Sequence, residues 1–221
     1  SVAIDGPSGS GKSTLAKTLS KKLGWLYIDT GAMYRTVGLY AKRNQIEPND
    51  EKSLEKHFSK IDIKLEWIDG SQHVFLNGED VSDKIRTPEM SMYASAVSAL
   101  PAVRAFLLEK QRDFARNNNV IMDGRDIGTV VLPDAQVKIF LKAGNEERAR
   151  RRYEELIAKG QDVKFEDVLD MLKRDKNDST RTAAPCVPAH DAVLLDNSGY
   201  EPETTERKAM EIINAKLGTK F

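Results

Sequence analysis

A five-stranded parallel sheet flanked by helices, an α/β fold, is what this sequence predicts, and three observations carry the prediction. Five short apolar runs have the length and composition of buried strands: Val2-Ala3-Ile4-Asp5, Leu26-Tyr27-Ile28-Asp29, Val120-Ile121-Met122-Asp123, Val137-Lys138-Ile139-Phe140-Leu141 and Ala192-Val193-Leu194-Leu195-Asp196. Helical stretches lie between them, the pattern of right-handed βαβ crossovers. A glycine-rich segment follows the first run directly and opens a helix. In such sheets ligands bind beyond the carboxyl ends of the strands, where Asp5, Asp29, Asp123 and Asp196 emerge.

The first run leads into Gly6-Pro7-Ser8-Gly9-Ser10-Gly11-Lys12-Ser13-Thr14, which satisfies G-x-x-x-x-G-K-[ST] and precedes an amphipathic helix from Lys12 to Leu23. Its strand-to-helix setting makes a chance match, already on the order of one in a hundred for a chain of this length, rarer still. Glycines let consecutive N–H groups turn inward as a nest, and the helix N-terminus adds positive charge. The segment is therefore expected to bind ATP through Gly6 to Thr14, with Lys12 reaching the β- and γ-phosphates and Ser13 offering its hydroxyl to Mg²⁺. Asp123, ending a hydrophobic strand as a Walker B acid does, is placed to hold that ion directly or through water. The fold is then of the P-loop NTPase type.

The second run opens the helix from Gly31 to Arg43, with Met33, Val37, Tyr40 and Ala41 on one face. Beyond it, Ile61 to Trp67 and Val74 to Leu76 alternate around Asp69-Gly70 and predict a β-hairpin. Thr87-Pro88 and Leu100-Pro101 each open a further helix, with proline at its first position. A single domain spanning residues 1–221 is expected: a core of residues 1–29, 116–144 and 185–221, an insertion of about 30–115 that contains a small antiparallel sheet and is a candidate for substrate handling, and a short helical lid of about 145–184. That lid carries Glu146-Glu147-Arg148-Ala149-Arg150-Arg151-Arg152; with little to bury, it is expected to be mobile.

Thirty-four basic and thirty-four acidic side chains give a net charge of zero, so no global field favours nucleic acid or membrane. One cysteine, Cys186, cannot form an internal disulfide, and no Cys/His cluster has zinc-ligand spacing, which suits a cytoplasmic location. The apolar runs are strand-sized, and no charged-then-apolar leader opens the sequence; because the first strand pattern begins at Val2, a few natural residues are expected before Ser1. His57, His73 and His190 stand singly and are read as structural or surface residues. A monomer is expected, since no long apolar seam is apparent.

A GTP switch would need an N/T-K-x-D motif, which Asp175-Lys176-Asn177-Asp178 only approximates, and translocating ATPases are usually larger. A small-molecule kinase remains. Gly6 to Thr14, Asp29-Thr30-Gly31-Ala32-Met33-Tyr34-Arg35, Asp123-Gly124-Arg125-Asp126-Ile127-Gly128-Thr129-Val130-Val131 and the spacing of Arg174, Asp178 and Arg181 resemble the bacterial cytidylate kinase family, in order and separation, across essentially the whole chain. The resemblance implies an ATP-dependent phosphotransferase that makes CDP or dCDP from CMP or dCMP in pyrimidine metabolism. It also implies acceptor-binding roles for Thr30, Arg35, Ser95, Arg104, Arg125, Asp126, Arg174, Asp178 and Arg181, and charge stabilisation by Lys12, Arg125, Arg174 and Arg181. The chemistry agrees: arginine forks onto phosphate, and a carboxylate such as Asp126 accepts from the N4 amino group of cytosine but faces an oxygen in uracil. On a helix Arg174, Asp178 and Arg181 share one face. Arg148, Arg151 and Arg152 could share lid duty, but a run of arginines is more often solvated, and they are left outside the core assignment. Two alternatives stand beside this reading, a kinase for another monophosphate such as UMP and an ATP-gated binding protein.

Overall fold

The computed structural model describes residues 1–158, 160, 162–166, 168, 169 and 184–221, which form two compact units: residues 1–27 with 118–221, and residues 28–117. Arg174, Asp178 and Arg181 lie outside the described residues.

In the first unit, β1 (Val2–Asp5) pairs in parallel with β6 (Val120–Gly124) on one side and β7 (Val137–Lys142) on the other. The five-stranded order is completed by β2 (Leu26–Asp29) outside β6 and β8 (Val193–Asp196) outside β7. Val2, Ala3, Ile4, Val120, Ile121 and Met122 are fully buried, as unbroken apolar runs covered on both faces must be. The helix α1 (Lys12–Leu23) turns Leu15, Ala16 and Leu19 inward and stops at Gly24, whose left-handed backbone sends its N–H to the Ser20 carbonyl. At the chain's end Pro202 opens a helix that runs to Leu217 and buries Ala209, Met210 and Ile213 in the same core as Ile4, Leu19 and Ile139. Burying each large aliphatic side chain there stabilises the unit by roughly 1.5–3 kcal/mol.

The helix α6 (Asn145–Ala158) corrects the expectation of a solvated charge run with little to bury. Ala149 and Leu156 are buried with Val168, and Tyr153, Val163 and Phe165 pack against them. Arg148 is buried as well, at 5% exposure. A charge-rich helix still buries what its spacing brings to one side, and here it has a small cluster of its own to cover.

In the second unit, α2 (Thr30–Arg43) buries Met33, Val37, Tyr40 and Ala41, and packs against α4 (Pro88–Ser98) at Gly38, where an added Cβ would lie 2.7 Å from the Tyr93 Cβ. The Thr87 hydroxyl caps α4 by accepting from the Met90 amide, with Pro88 behind it; α5 (Pro101–Asn117) likewise starts at its proline. A short helix, α3 (Glu51–Glu55), lies between α2 and the sheet. The predicted hairpin is β3 (Ile63–Ile68) and β4 (Ser71–Leu76), with Leu65 opposite Val74 and the positive φ of Asp69 and Gly70 making the turn. A third strand, β5 (Glu79–Asp80), joins through Asn77-Gly78, a second positive-φ pair. No single helix among the described residues is long and apolar enough to cross a membrane.

Candidate active site

Two sets of chemistry-bearing residues occupy the two units. In the first unit the loop between β1 and α1 wraps through Gly9 at φ 70° and Gly11 at φ 87°, backbone that a side chain would strain. Lys12 opens α1 and turns its Nζ back to the Pro7 carbonyl at 3.1 Å, buried to 8% exposure. One residue on, the Ser13 hydroxyl donates to Asp123 Oδ2 at 2.7 Å, while Tyr27 donates to Asp123 Oδ1 at 2.9 Å. Asp123, the last residue but one of β6, is nearly inaccessible, and its carboxylate is held at both oxygens under the loop. A hydroxyl and a carboxylate are oxygen donors of the kind a hard divalent cation takes, and Mg²⁺ commonly uses one or two carboxylates alongside phosphates and water. No larger group of His, Cys, Asp and Glu suited to a metal occurs among the described residues.

After β6 the chain reads Arg125-Asp126 and then makes a π-helical turn, residues Ile127–Val131. Arg125 Nη1 donates to the Gly6 carbonyl at 3.0 Å. Asp126 is buried, and its carbonyl accepts from the Val130 and Val131 amides. Asp5, at the end of β1, accepts from the Ile127 and Gly128 amides at 2.7 Å each. Burial pushes the Asp5 carboxyl up to about 6 against the pull of those two amides, Asp126 adding to the rise and Lys12 opposing it. Asp5 thus clasps the turn behind Arg125 and Asp126 instead of facing a ligand. Asp196 is also structural: it accepts from the Ser198 amide and hydroxyl.

In the second unit Asp29 closes β2 and caps α2. Its Oδ1 accepts from the Ala32 amide at 3.0 Å and its Oδ2 from Arg35 Nη2 at 2.7 Å. Burial opposes its ionisation, but the Arg35 charge, the Ala32 amide and the Arg86 charge outweigh burial and hold the carboxyl below its usual range. Thr30 is buried at the first position of α2, one turn before Arg35. Arg104, on α5, donates to the Ser98 carbonyl and lies over the Tyr34 ring, 5.6 Å from its centroid. Ser95 is half-buried on α4.

Residues that sequence reasoning left out stand around the phosphate loop. Arg148 donates to the Ser8 carbonyl and Asn197, just past β8, to the Ser10 carbonyl; Arg151 in turn holds Asn197. A lone asparagine after a strand and one arginine in a run of several carry no local signal. The remaining arginines of that run do pair at the helix surface, Arg150 with Glu147 and Arg152 with Glu155.

A glycine-rich nest between a buried strand and a helix, floored by a carboxylate gripping the loop's serine, is how P-loop phosphotransferases seat a nucleotide's phosphates. The comparisons with known proteins narrow this class. The family model described as cytidylate kinase matches residues 2–215. A cytidylate kinase of Caldicellulosiruptor bescii is 51% identical over 212 residues, covering 96% of this chain and 94% of that protein. One of Carboxydothermus hydrogenoformans is 50% identical over 216 residues, covering 97% of each. This chain belongs to the cytidylate kinase family. A solved structure from Eubacterium ventriosum, described as an uncharacterized protein, shares the fold alone, with a TM-score of 0.54 at 14% identity over 97% of each chain.

Proposed function

We propose that this protein transfers the γ-phosphoryl group of MgATP to CMP or dCMP, releasing ADP and CDP or dCDP, and that it does so as a cytoplasmic monomer. The observation that carries the reading is the phosphate loop closed from beneath by Asp123 on Ser13, in a chain of this family. Gly6 to Thr14 hold the donor's phosphates. Lys12, released from the Pro7 carbonyl, turns to the β- and γ-phosphates. Ser13 and Asp123 are the residues that would hold the Mg²⁺ accompanying ATP, and that ion would supply neutralisation of phosphate charge.

The acceptor is assigned Thr30, Arg35, Ser95, Arg104, Arg125 and Asp126, together with Arg174, Asp178 and Arg181. Arg35 exchanges the Asp29 carboxylate for the acceptor's phosphate, a charge-assisted partner of the same geometry. That phosphate is largely dianionic at neutral pH, its second pKa being about 6, so the reaction needs no strong base. Catalysis is then in-line positioning and charge neutralisation by Lys12, Arg125, Arg174 and Arg181. Asp126 reads the cytosine amino group, and with uracil it would set two acceptors face to face.

The test is ADP release from MgATP with CMP, dCMP, UMP, AMP, GMP or no acceptor, for the wild type and Asp126→Ala. CMP and dCMP should dominate, and the variant should lose their advantage over UMP by roughly tenfold or more. Dominance of another acceptor would sink the base-reading assignment, and ATP binding without turnover on any acceptor would sink the kinase reading.

A further inference from the structure

Four carbonyls of the phosphate loop are bound by side chains from different parts of the chain. Gly6 O accepts from Arg125, Pro7 O from Lys12, Ser8 O from Arg148 Nη1 at 2.8 Å and Ser10 O from Asn197 Nδ2 at 3.0 Å. A planar trans peptide points its C=O and N–H in opposite directions, so a tied carbonyl fixes where the next residue's N–H points. The Arg148 bond therefore aims the Gly9 amide, and the Asn197 bond aims the Gly11 amide.

Lys12 and Arg125 are assigned to substrate and must leave or share these carbonyls when it binds. Arg148 and Asn197 face no such competition. Arg148 is 5% exposed, and its second fork arm, Nη2, donates to Asn145 Oδ1 at 2.7 Å. Asn197 is 4% exposed, and its orientation is set: Oδ1 accepts from Arg151 Nη1 at 3.3 Å, its own carbonyl accepts from Arg151 Nη2 at 3.0 Å, and Nδ2 is left to face the loop. Arg151 is steadied by Glu147, one turn back on α6. The backbone joins in, since an added Cβ on Gly9 would lie 2.7 Å from the Arg148 carbonyl oxygen.

We infer that Arg148 and Asn197 are positioning residues that keep the phosphate loop in its binding shape while Lys12 and Arg125 engage substrate, a role that rests on the ATP-donor reading above. They act on donor affinity through the loop's backbone and do not touch the reacting phosphates. Losing either bond frees one peptide to rotate and adds an ordering cost to ATP binding.

The experiment measures equilibrium binding of a fluorescent ATP analogue without acceptor, together with KM values for ATP and CMP and kcat, for the wild type, Arg148→Ala, Arg148→Lys, Asn197→Ala and Asn197→Asp. The alanine variants should bind the analogue and ATP roughly tenfold more weakly, with the CMP KM within about twofold of wild type. Arg148→Lys, which can still donate to Ser8, should recover part of the loss. Asn197→Asp keeps the shape but sets an acceptor against the Ser10 carbonyl, so it should bind as weakly as Asn197→Ala. Nucleotide-free melting temperatures accompany each variant, and where an alanine variant does not fold, the Arg148→Lys and Asn197→Asp results decide. Wild-type affinity in all variants, or a fall in kcat with ATP binding unchanged, would overturn the brace while leaving the kinase reading intact. A wild type that binds no ATP analogue would remove both.

Discussion

Arg35 rests on Asp29, and on the acceptor role proposed for it the pair is what keeps the arginine ready. The acid is short, caps its own helix and is largely shielded, so the guanidinium is held in one place before any phosphate arrives. Arg35→Met should raise the CMP KM by roughly ten- to a hundredfold, the worth of hydrogen bonds to a charged group, and leave the ATP KM nearly unchanged. Lysine should not substitute fully, because it lacks the planar fork. Asp5 makes a different prediction. Its carboxyl is raised to about 6 in the folded protein against 3.8 as the ordinary value, so the folded state holds the extra proton. Its contribution to stability is therefore fully present below about pH 4 and is lost as pH rises through 6, by on the order of 3 kcal/mol. The charged groups that bear on it are Asp126, which favours the proton, and Lys12, which opposes it. Denaturant unfolding of wild type and Asp5→Asn between pH 4 and 7 should show this slope in the wild type alone; an identical slope in both would refute it.

Among the elements, the helices α1, α2, α4 and α5 and the five sheet strands were legible because period and punctuation agreed: proline at the starts of α4 and α5, glycine at the stop of α1, aspartate at the end of four of the apolar runs. The short strand β5 was missed although Asn77-Gly78 is a strong turn signal; two residues are too few to show alternation. The phosphate loop, Asp123 and Arg35 were named from motifs with a physical reason. Arg148, Asn197 and the clasp by Asp5 were not, because each depends on chain folding back from far along the sequence onto a backbone atom. The burial of α6 was misread for a related reason, as its apolar partners lie beyond it in the chain. Gly38 gives a prediction at this scale. Its missing side chain sets how closely α2 and α4 approach, so Gly38→Ala should shift the denaturant midpoint to a loss of about 1–3 kcal/mol. Glycine's helix penalty relative to alanine, roughly 1 kcal/mol, works the other way, so an unchanged or higher midpoint would mean the helices can move apart freely.

For the whole molecule, substrate binding is stability. A nucleotide that binds only the folded chain adds about 2.7 kcal/mol at a concentration one hundred times its Kd. An ATP analogue should raise the melting temperature accordingly, and Lys12→Ala should erase most of that rise while CMP still produces its own; a full ATP response in the variant would remove Lys12 from the donor site. Both chain crossings into the second unit leave from neighbouring strands, since the residues before it end on β2 and those after it begin β6, with the Leu26 amide bonded to the Asn119 carbonyl at 2.9 Å. A segment whose entry and exit sit side by side on one ladder is a cassette: residues 28–117 can be exchanged for a related insertion without re-threading the rest of the chain. If that unit carries the acceptor site as proposed, acceptor choice can change by replacing it while the phosphate-loop unit keeps its own chain path.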